Sequence, residues 1–200
     1  MHIPGQTTPP HRHLTIMAAH GLDLAVGQSG RLPWVLDGHI DRFAWRLENS
    51  SCIAVGHRTA LVYANLLRAL PCRAYAISRE LAAVSGLPAL PSIAKLAEHE
   101  AGDILVVGGA GLFAEALPHA TFLDLTIVDA ESDEADAYFP RWNPDEWQTL
   151  LRQRSEARPD EPTSTTRLFL ARRIGEDDTA ALRASLRCDS EFMPSTRIGH

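Results

Sequence analysis

The residues best arranged for chemistry are Gly108-Gly109-Ala110-Gly111, which follow the apolar run Ile104-Leu105-Val106-Val107 and precede Leu112-Phe113. Four consecutive apolar, partly β-branched residues read as a strand buried on both faces, the habit of a parallel sheet. Helical spacing resumes at Leu112 and runs to Leu117, where Pro118 is expected to end it. A strand that opens through glycines into a helix leaves backbone N–H groups free at the positive end of the helix dipole. A phosphate or pyrophosphate suits that position, and glycine lets the main chain approach a ligand more closely than any side chain permits. The full dinucleotide fingerprint is absent, because no third glycine stands at the expected offset. An ordinary tight strand–helix turn would use the same residues, and both readings stay open at this point.

The elements that must position this turn follow from periodicity. Leu14 to Ala19, Cys52 to Val55, Arg73 to Ser78 and Ile104 to Val107 read as buried strands, with a short one near Leu87 to Leu90. Ile40, Phe43 and Leu47 fall at helical offsets within Gly38 to Glu48. Thr59 is expected to cap a helix running toward Leu67, and Ser92 another reaching about His99. Gly21 to Arg31 reads as a long loop, of the kind that often serves as a lid. Phe122 to Asp129 alternates as a strand. Glu146 to Arg154 and Thr165 to Ala171 flank a turn rich in Pro, Asp and Glu, which predicts a hairpin. Strands alternating with helices, then strands alone, indicate an α/β domain whose sheet is mostly parallel with antiparallel edge strands. The domain is expected over 14–174, after a disordered lead at 1–13 and before an extension at 175–200. Within that extension, Asp177 to Arg187 could form one surface helix.

Composition narrows the function classes. Two hundred residues, 45% apolar and 22% charged, suit one globular domain with a real core. A formal net charge of -6 argues against a general nucleic-acid binder. Cys52, Cys72 and Cys188 form neither a metal-ligand spacing nor a disulfide framework, which points to a reducing compartment. No apolar run is long enough to span a membrane, and the N-terminus has no hydrophobic signal core. A cytoplasmic monomer acting on a small molecule, without metal, is the expectation.

Five groups of residues, taken in order, resemble the dihydrofolate reductase family. They are Met17-Ala18-Ala19; Val26-Gly27 with Leu32-Pro33-Trp34; Val55-Gly56-His57-Arg58-Thr59; Leu70-Pro71-Cys72-Arg73 with Ile77-Ser78-Arg79; and Val107-Gly108-Gly109 with Leu125-Thr126 and Phe139-Pro140. The resemblance covers Leu14 to Arg173. It implies a central, mostly parallel mixed sheet of about eight strands with a C-terminal antiparallel hairpin and about four flanking helices. It also implies NADPH-dependent reduction of dihydrofolate or a similar heterocycle. Gly108 and Gly109 would form a cis peptide against the cofactor, with Ala110, Gly111, Leu112 and Phe113 following. His57, Arg58 and Thr59 would meet its phosphates, and Ser78 with Arg79 the 2′-phosphate, for which a guanidinium has suitable geometry. Ala19, Val26, Gly27, Gly30 and Arg31 would complete the cofactor cleft, with Ala25 to Arg31 as the lid. On the substrate side, the resemblance implies Met17, Ala19, Phe43, Leu66 and Val107 around the ring system and Thr126 behind it. Arg73, with Arg68 nearby, would meet the carboxylate of a glutamate tail.

One departure bears on the chemistry. The family carries an Asp or Glu four residues before the Phe that stacks on the substrate, and here that position is His39. A carboxylate only accepts hydrogen bonds, whereas imidazole always offers at least one donor. Asp37 and Asp41 flank His39, but each is two residues away and so about 200° round a helix. Placing Asp41 in the acid's position also needs more gaps than placing His39 there. His39 is therefore read as the catalytic position, which leaves three readings open: slow, antifolate-insensitive reduction of dihydrofolate, reduction of another pterin or pyrimidine-like heterocycle, or a non-catalytic paralogue that binds NADPH or a pterin. A second departure is Phe113, where the family often has Tyr near the nicotinamide.

Overall fold

The computed structural model describes residues 13–79, 83–159 and 161–173, with the backbone alone for 37–40. The expected lead, apart from His13, and the expected extension with its surface helix lie outside the described residues. In chain order the elements are β1 (Leu14–Gly21), β2 (Ala25–Gly27), α1 (Asp37–Glu48), β3 (Cys52–Gly56), α2 (His57–Ala69), β4 (Arg73–Ile77) and β5 (Ala89–Leu90). Then follow α3 (Ile93–His99), β6 (Ile104–Val106), α4 (Ala110–Ala116), β7 (Phe122–Val128), β8 (Ala137–Tyr138), β9 (Trp147–Ser155) and β10 (Thr165–Arg172).

Eight strands form one sheet in the order β5-β4-β3-β6-β1-β7-β10-β9. Every pairing from β5 across to β7 is parallel, and β10 and β9 close the far edge antiparallel. The apolar runs have their reason here: the central strands are covered on both faces, so both sets of alternating side chains must be apolar. Leu14, Ile16 and Ala18 pack with Ile93 and Leu96 of α3 and Leu112, Phe113 and Ala116 of α4. Met17, Ile53, Val55, Ala74 and Ala76 pack on the other face with Leu47 of α1 and Ala60 and Leu67 of α2. Burying each such Ile, Leu or Met contributes about 1.5–3 kcal/mol.

Two local expectations are corrected. Thr59 caps nothing: α2 already begins at His57, and its N-cap is Gly56, with no side-chain cap bond. Strand β3 runs straight into the helix, so Thr59 falls inside the first turn. The loop from Gly21 to Arg31 contains β2, which pairs antiparallel with β8, and a bridge between Gln28 and Arg31. As expected, α4 ends just before Pro118, and the chain passes directly into a 3-10 turn, Leu117–His119. Proline fits the start of such a turn because its missing N–H would have no partner there anyway. Ser92 does cap α3, its hydroxyl accepting from the Lys95 N–H at 3.1 Å.

Candidate functional site

Parallel strands put their carboxyl ends on one edge, and several of the residues singled out by the sequence collect there. Ala19 on β1 lies opposite Thr126 on β7, and Gly56 on β3 opposite Ile77 on β4. Between them, the Val107 N–H donates to the Ala54 carbonyl at 3.1 Å, which brings the glycine turn after β6 beside the end of β3. His57 Nδ1 and Ser78 Oγ, from neighbouring strand ends, are 3.2 Å apart. Open α/β sheets bind ligands in the crevice outside this edge.

The turn itself is tightly built. Gly108–Gly109 is a cis peptide, and the Gly56 N–H donates to the Gly108 carbonyl at 2.5 Å. A Cβ on Gly56 would stand 3.0 Å from the Gly109 nitrogen. A Cβ on Gly108, whose φ is +135°, would stand 3.1 Å from Thr59 Oγ1. Two helices open onto this approach, α2 after Gly56 and α4 after Gly109. Neither has a side-chain cap bond or an acid in its first turn, so both positive ends are electrostatically open to an anion. Leu112 and Phe113 are buried in the core, and Phe113 packs on Phe139 with ring centroids 5.2 Å apart. What this segment offers a ligand is therefore its main chain from Gly108 to Gly111. Arg58, in the first turn of α2, and Arg79, after Ser78, are exposed.

The expected lid is tied down at one side. The Asp136 N–H donates to the Gly27 carbonyl at 3.0 Å, the Ser29 N–H donates to Asp136 Oδ2 at 3.0 Å, and Gln28 bonds Glu134. Val26 packs against the core, while Gly30 (φ +81°) and Arg31 are exposed.

On the substrate side the structure separates the expected residues. Phe43 of α1 and Val107 pack against the same apolar cluster, which contains Met17. Leu66 is 49% exposed on α2. The Arg68 guanidinium donates to Asn65 Oδ1 and lies over Gly86. Arg73 pairs with Glu100 Oε2 at 2.7 Å, and the same carboxylate accepts from the Tyr75 hydroxyl at 2.6 Å. Tyr75 and Ile77 belong to the core on the α3 and α4 face, and Arg73 shares their alternation. It is thus directed to the face opposite Phe43. The backbone places His39 in the first turn of α1, one turn before Phe43, and Asp41 is exposed.

A dihydrofolate reductase family model matches residues 13–172, four fifths of the chain. The chain belongs to the dihydrofolate reductase family. It is similar to dihydrofolate reductase type 3 of Salmonella typhimurium, 30% identical over 145 residues, covering 70% of this chain and 85% of that one. The dihydrofolate reductase of Haemophilus influenzae is 28% identical over 139 residues, covering 67% and 82%. Among solved structures, the Enterococcus faecalis dihydrofolate reductase complexed with NADP(H) and RAB-propyl superposes with a TM-score of 0.70. That match is 19% identical and covers 81% of this chain and 97% of that one, which establishes a shared fold.

Against this dihydrofolate reductase frame, the sequence reading missed a group of charges beneath α1. Asp124, fully buried on β7, is paired by Arg167 of β10 at 3.2 and 3.3 Å. Two arginines of α1 add to it, Arg42 at 3.7 Å and Arg46 at 3.9 Å. Arg42 Nη2 also donates to Thr126 Oγ1 at 2.6 Å. Burial pushes the Arg42 guanidinium down to about 10; Asp124 opposes the shift, while Arg167 and Arg46 add to it. Arg42 still carries its charge at neutral pH. Two signals in the sequence pointed here: an arginine pair at i, i+4 beside the apolar Phe43–Leu47 pair, and one carboxylate inside the apolar strand Phe122–Val128.

Proposed function

We propose that this chain is an NADPH-dependent reductase of the dihydrofolate type, slow on dihydrofolate itself because His39 stands where the family has its acid. The observation that carries this reading is the Gly108–Gly109 turn packed against Gly56, between two helix starts that lack side-chain caps, in a chain of this family. The residues fit the cofactor. The glycines leave room where a Cβ would intrude, main-chain N–H groups and the exposed Arg58 and Arg79 suit phosphates, and His57 and Ser78 lie side by side between them. NADPH, when bound, supplies a hydride to the ring carbon next to N5 of the substrate.

The chain's own part is to hold the ring and to manage one proton. Met17, Phe43 and Val107 form the apolar wall against which the ring would lie, and Ala19 and Thr126 its floor. The proton that accompanies reduction would have to reach N5 of the ring, so the groups around N5 decide how readily it is delivered. A carboxylate at the first turn of α1 would accept the ring N–H and amino donors and favour protonation of N5. Imidazole leaves at least one of those donors without an acceptor. An unsatisfied buried group costs about 1–3 kcal/mol, a tenfold to hundredfold loss.

The test is to mix the purified protein with NADPH and dihydrofolate and follow the absorbance of reduced nicotinamide. A slow wild type and a faster His39→Asp variant are expected. Turnover that survives His39→Ala but is lost in Asp41→Ala would move the acid's role to Asp41. If NADPH does not quench the tryptophan fluorescence, the cofactor assignments fail together.

A further inference from the structure

The β9–β10 hairpin carries a groove on the sheet face turned away from α1. Leu168 and Leu170 of β10 alternate with Arg167 and Phe169, and they belong to the face that packs on α4. Farther out on that face lies a cavity of about 420 Å³, lined by Leu22, Trp142, Leu168 and Arg152 among others, and by no residue of α3 or α4. One water takes about 30 Å³, so the space is on the scale of several side chains. Leu22 is 59% exposed beside it. Of the two arginines that β9 contributes, Arg154 is committed to Asp129 at 2.7 Å and Glu156 at 2.9 Å. Arg152, opposite Leu168 in register, makes no ion pair or hydrogen bond among the described residues. An apolar floor with an uncommitted cation at its rim matches a segment that carries acids next to apolar side chains.

We propose that residues 174–200 of this same chain occupy the groove, with the acids at 176–178 paired to Arg152 and with Leu182 and Leu186 against Leu22, Trp142 and Leu168. The chain leaves the sheet beside it. The Arg173 N–H donates to the Glu146 carbonyl at 2.8 Å, and Arg173 Nε to the carbonyl of Trp147 at 3.2 Å. Trp147 itself lines the groove. Glu176-Asp177-Asp178 follow at once, then Leu182 and Leu186. The two leucines are four residues apart, so they share a face of the helix that the sequence predicts over Asp177 to Arg187. The reach is sufficient. Arg172 pairs with Trp147 and Leu168 with Arg152, which sets Arg152 about 14 Å back along the strands, and residues 174–178 span up to about 17 Å. A second copy meeting this face symmetrically would instead bring the same cations together. The groove lies on the face opposite α1, so the proposal stands or falls apart from the reductase reading.

Phenylglyoxal labelling of the full chain, read by mass spectrometry, tests this through the accessibility of Arg152. Arg141, exposed and outside the groove, is the internal standard. In the wild type Arg152 is expected to react about tenfold more slowly than Arg141, the occupancy that burying one leucine supports. Two full-chain variants should each bring the two rates to within about twofold: Leu182→Asp with Leu186→Asp, and Glu176→Lys with Asp177→Lys and Asp178→Lys. Both leave the sheet untouched, so a loss of protection reports the contact rather than the fold. Equal reaction of Arg152 and Arg141 in the wild type overturns the proposal, as does protection that survives either variant. Protection that disappears on dilution assigns the groove to a second copy and overturns it as well.

Discussion

Asp124→Asn is the most direct probe of the charge cluster beneath α1. Asparagine keeps the shape and one acceptor oxygen and removes the carboxylate's charge. In the wild type that charge lies 3.2 Å from Arg167, 3.7 Å from Arg42 and 3.9 Å from Arg46, with the Asp124 side chain 1% exposed. Burial already holds the Arg42 guanidinium down to about 10, which corresponds to about 3 kcal/mol against its charged form. Asp124 already opposes that shift, so without its charge the guanidinium would fall further. Breaking a buried ion pair by removing one partner costs about 3–5 kcal/mol, because the remaining charge is left uncompensated. Here the three arginines around Asp124 are partly screened at their 14–20% exposed ends, so the lower end of that range, a loss of about 3 kcal/mol, is expected. At this chain length that is a fall in Tm of about 6–12 °C. Urea denaturation of the wild type, Asp124→Asn, Arg42→Met and the double variant measures it. The double variant should recover at least about 1 kcal/mol relative to additivity, since removing one cation relieves the repulsion. A loss below about 1 kcal/mol for Asp124→Asn, the value of an exposed pair, would refute the picture of a buried, charge-dependent cluster. Strict additivity would do the same.

Other outcomes follow from single contacts. Gly56→Ala places a Cβ 3.0 Å from the Gly109 nitrogen, and Gly108→Ala combines φ +135° with a Cβ 3.1 Å from Thr59 Oγ1. Each should destabilise by about 1–3 kcal/mol and weaken NADPH binding by fluorescence titration, Gly108→Ala more. Burial pushes the His20 imidazole below its ordinary value of 6.5, although its bond to the Gly21 carbonyl opposes the shift. A histidine whose folded value is depressed resists protonation in the folded state. Stability is therefore full above 6.5 and falls as the pH drops below it. His20→Phe, stacked on Phe139 as His20 is, should flatten this limb of a plot of unfolding free energy against pH. Burial, then the bond to Glu100, pushes the Tyr75 hydroxyl up to about 12. Its contribution is present below 10 and lost as the pH rises toward 12, a limb that Tyr75→Phe should remove and that phenolate absorbance should track.

The Arg73–Glu100 pair bears on the substrate's tail. A glutamate carboxylate arriving at Arg73 would have to compete with Glu100, which sits 2.7 Å away and is itself buried. Arg73→Gln should therefore change the KM for dihydrofolate by less than about threefold, well under the value of a charge-assisted bond. A much larger rise in KM, with kcat unchanged, would show that Arg73 leaves Glu100 to meet the tail.

What the sequence determined by itself is what local patterning controls. Continuous apolar runs at 52–55, 74–77 and 104–107 announced strands covered on both faces, because alternation disappears when both faces are buried. Ser92 announced a helix start, the late Pro-, Asp- and Glu-rich turn a hairpin, and Gly108-Gly109 a close approach of main chain. Tertiary structure decided which side chains meet. Thr59 had the right chemistry for a cap, but β3 continues into α2 without an intervening loop. Arg73 had the right type for a carboxylate, but its place in the alternation of β4 turns it to the α3 face and Glu100. Arg167 became a neighbour of Thr126 and Asp124 only because β10 inserts between β7 and β9. Periodicity specifies how a segment divides its faces. It carries no information on which distant strand lies alongside, and for buried charge that neighbour is what sets the chemistry.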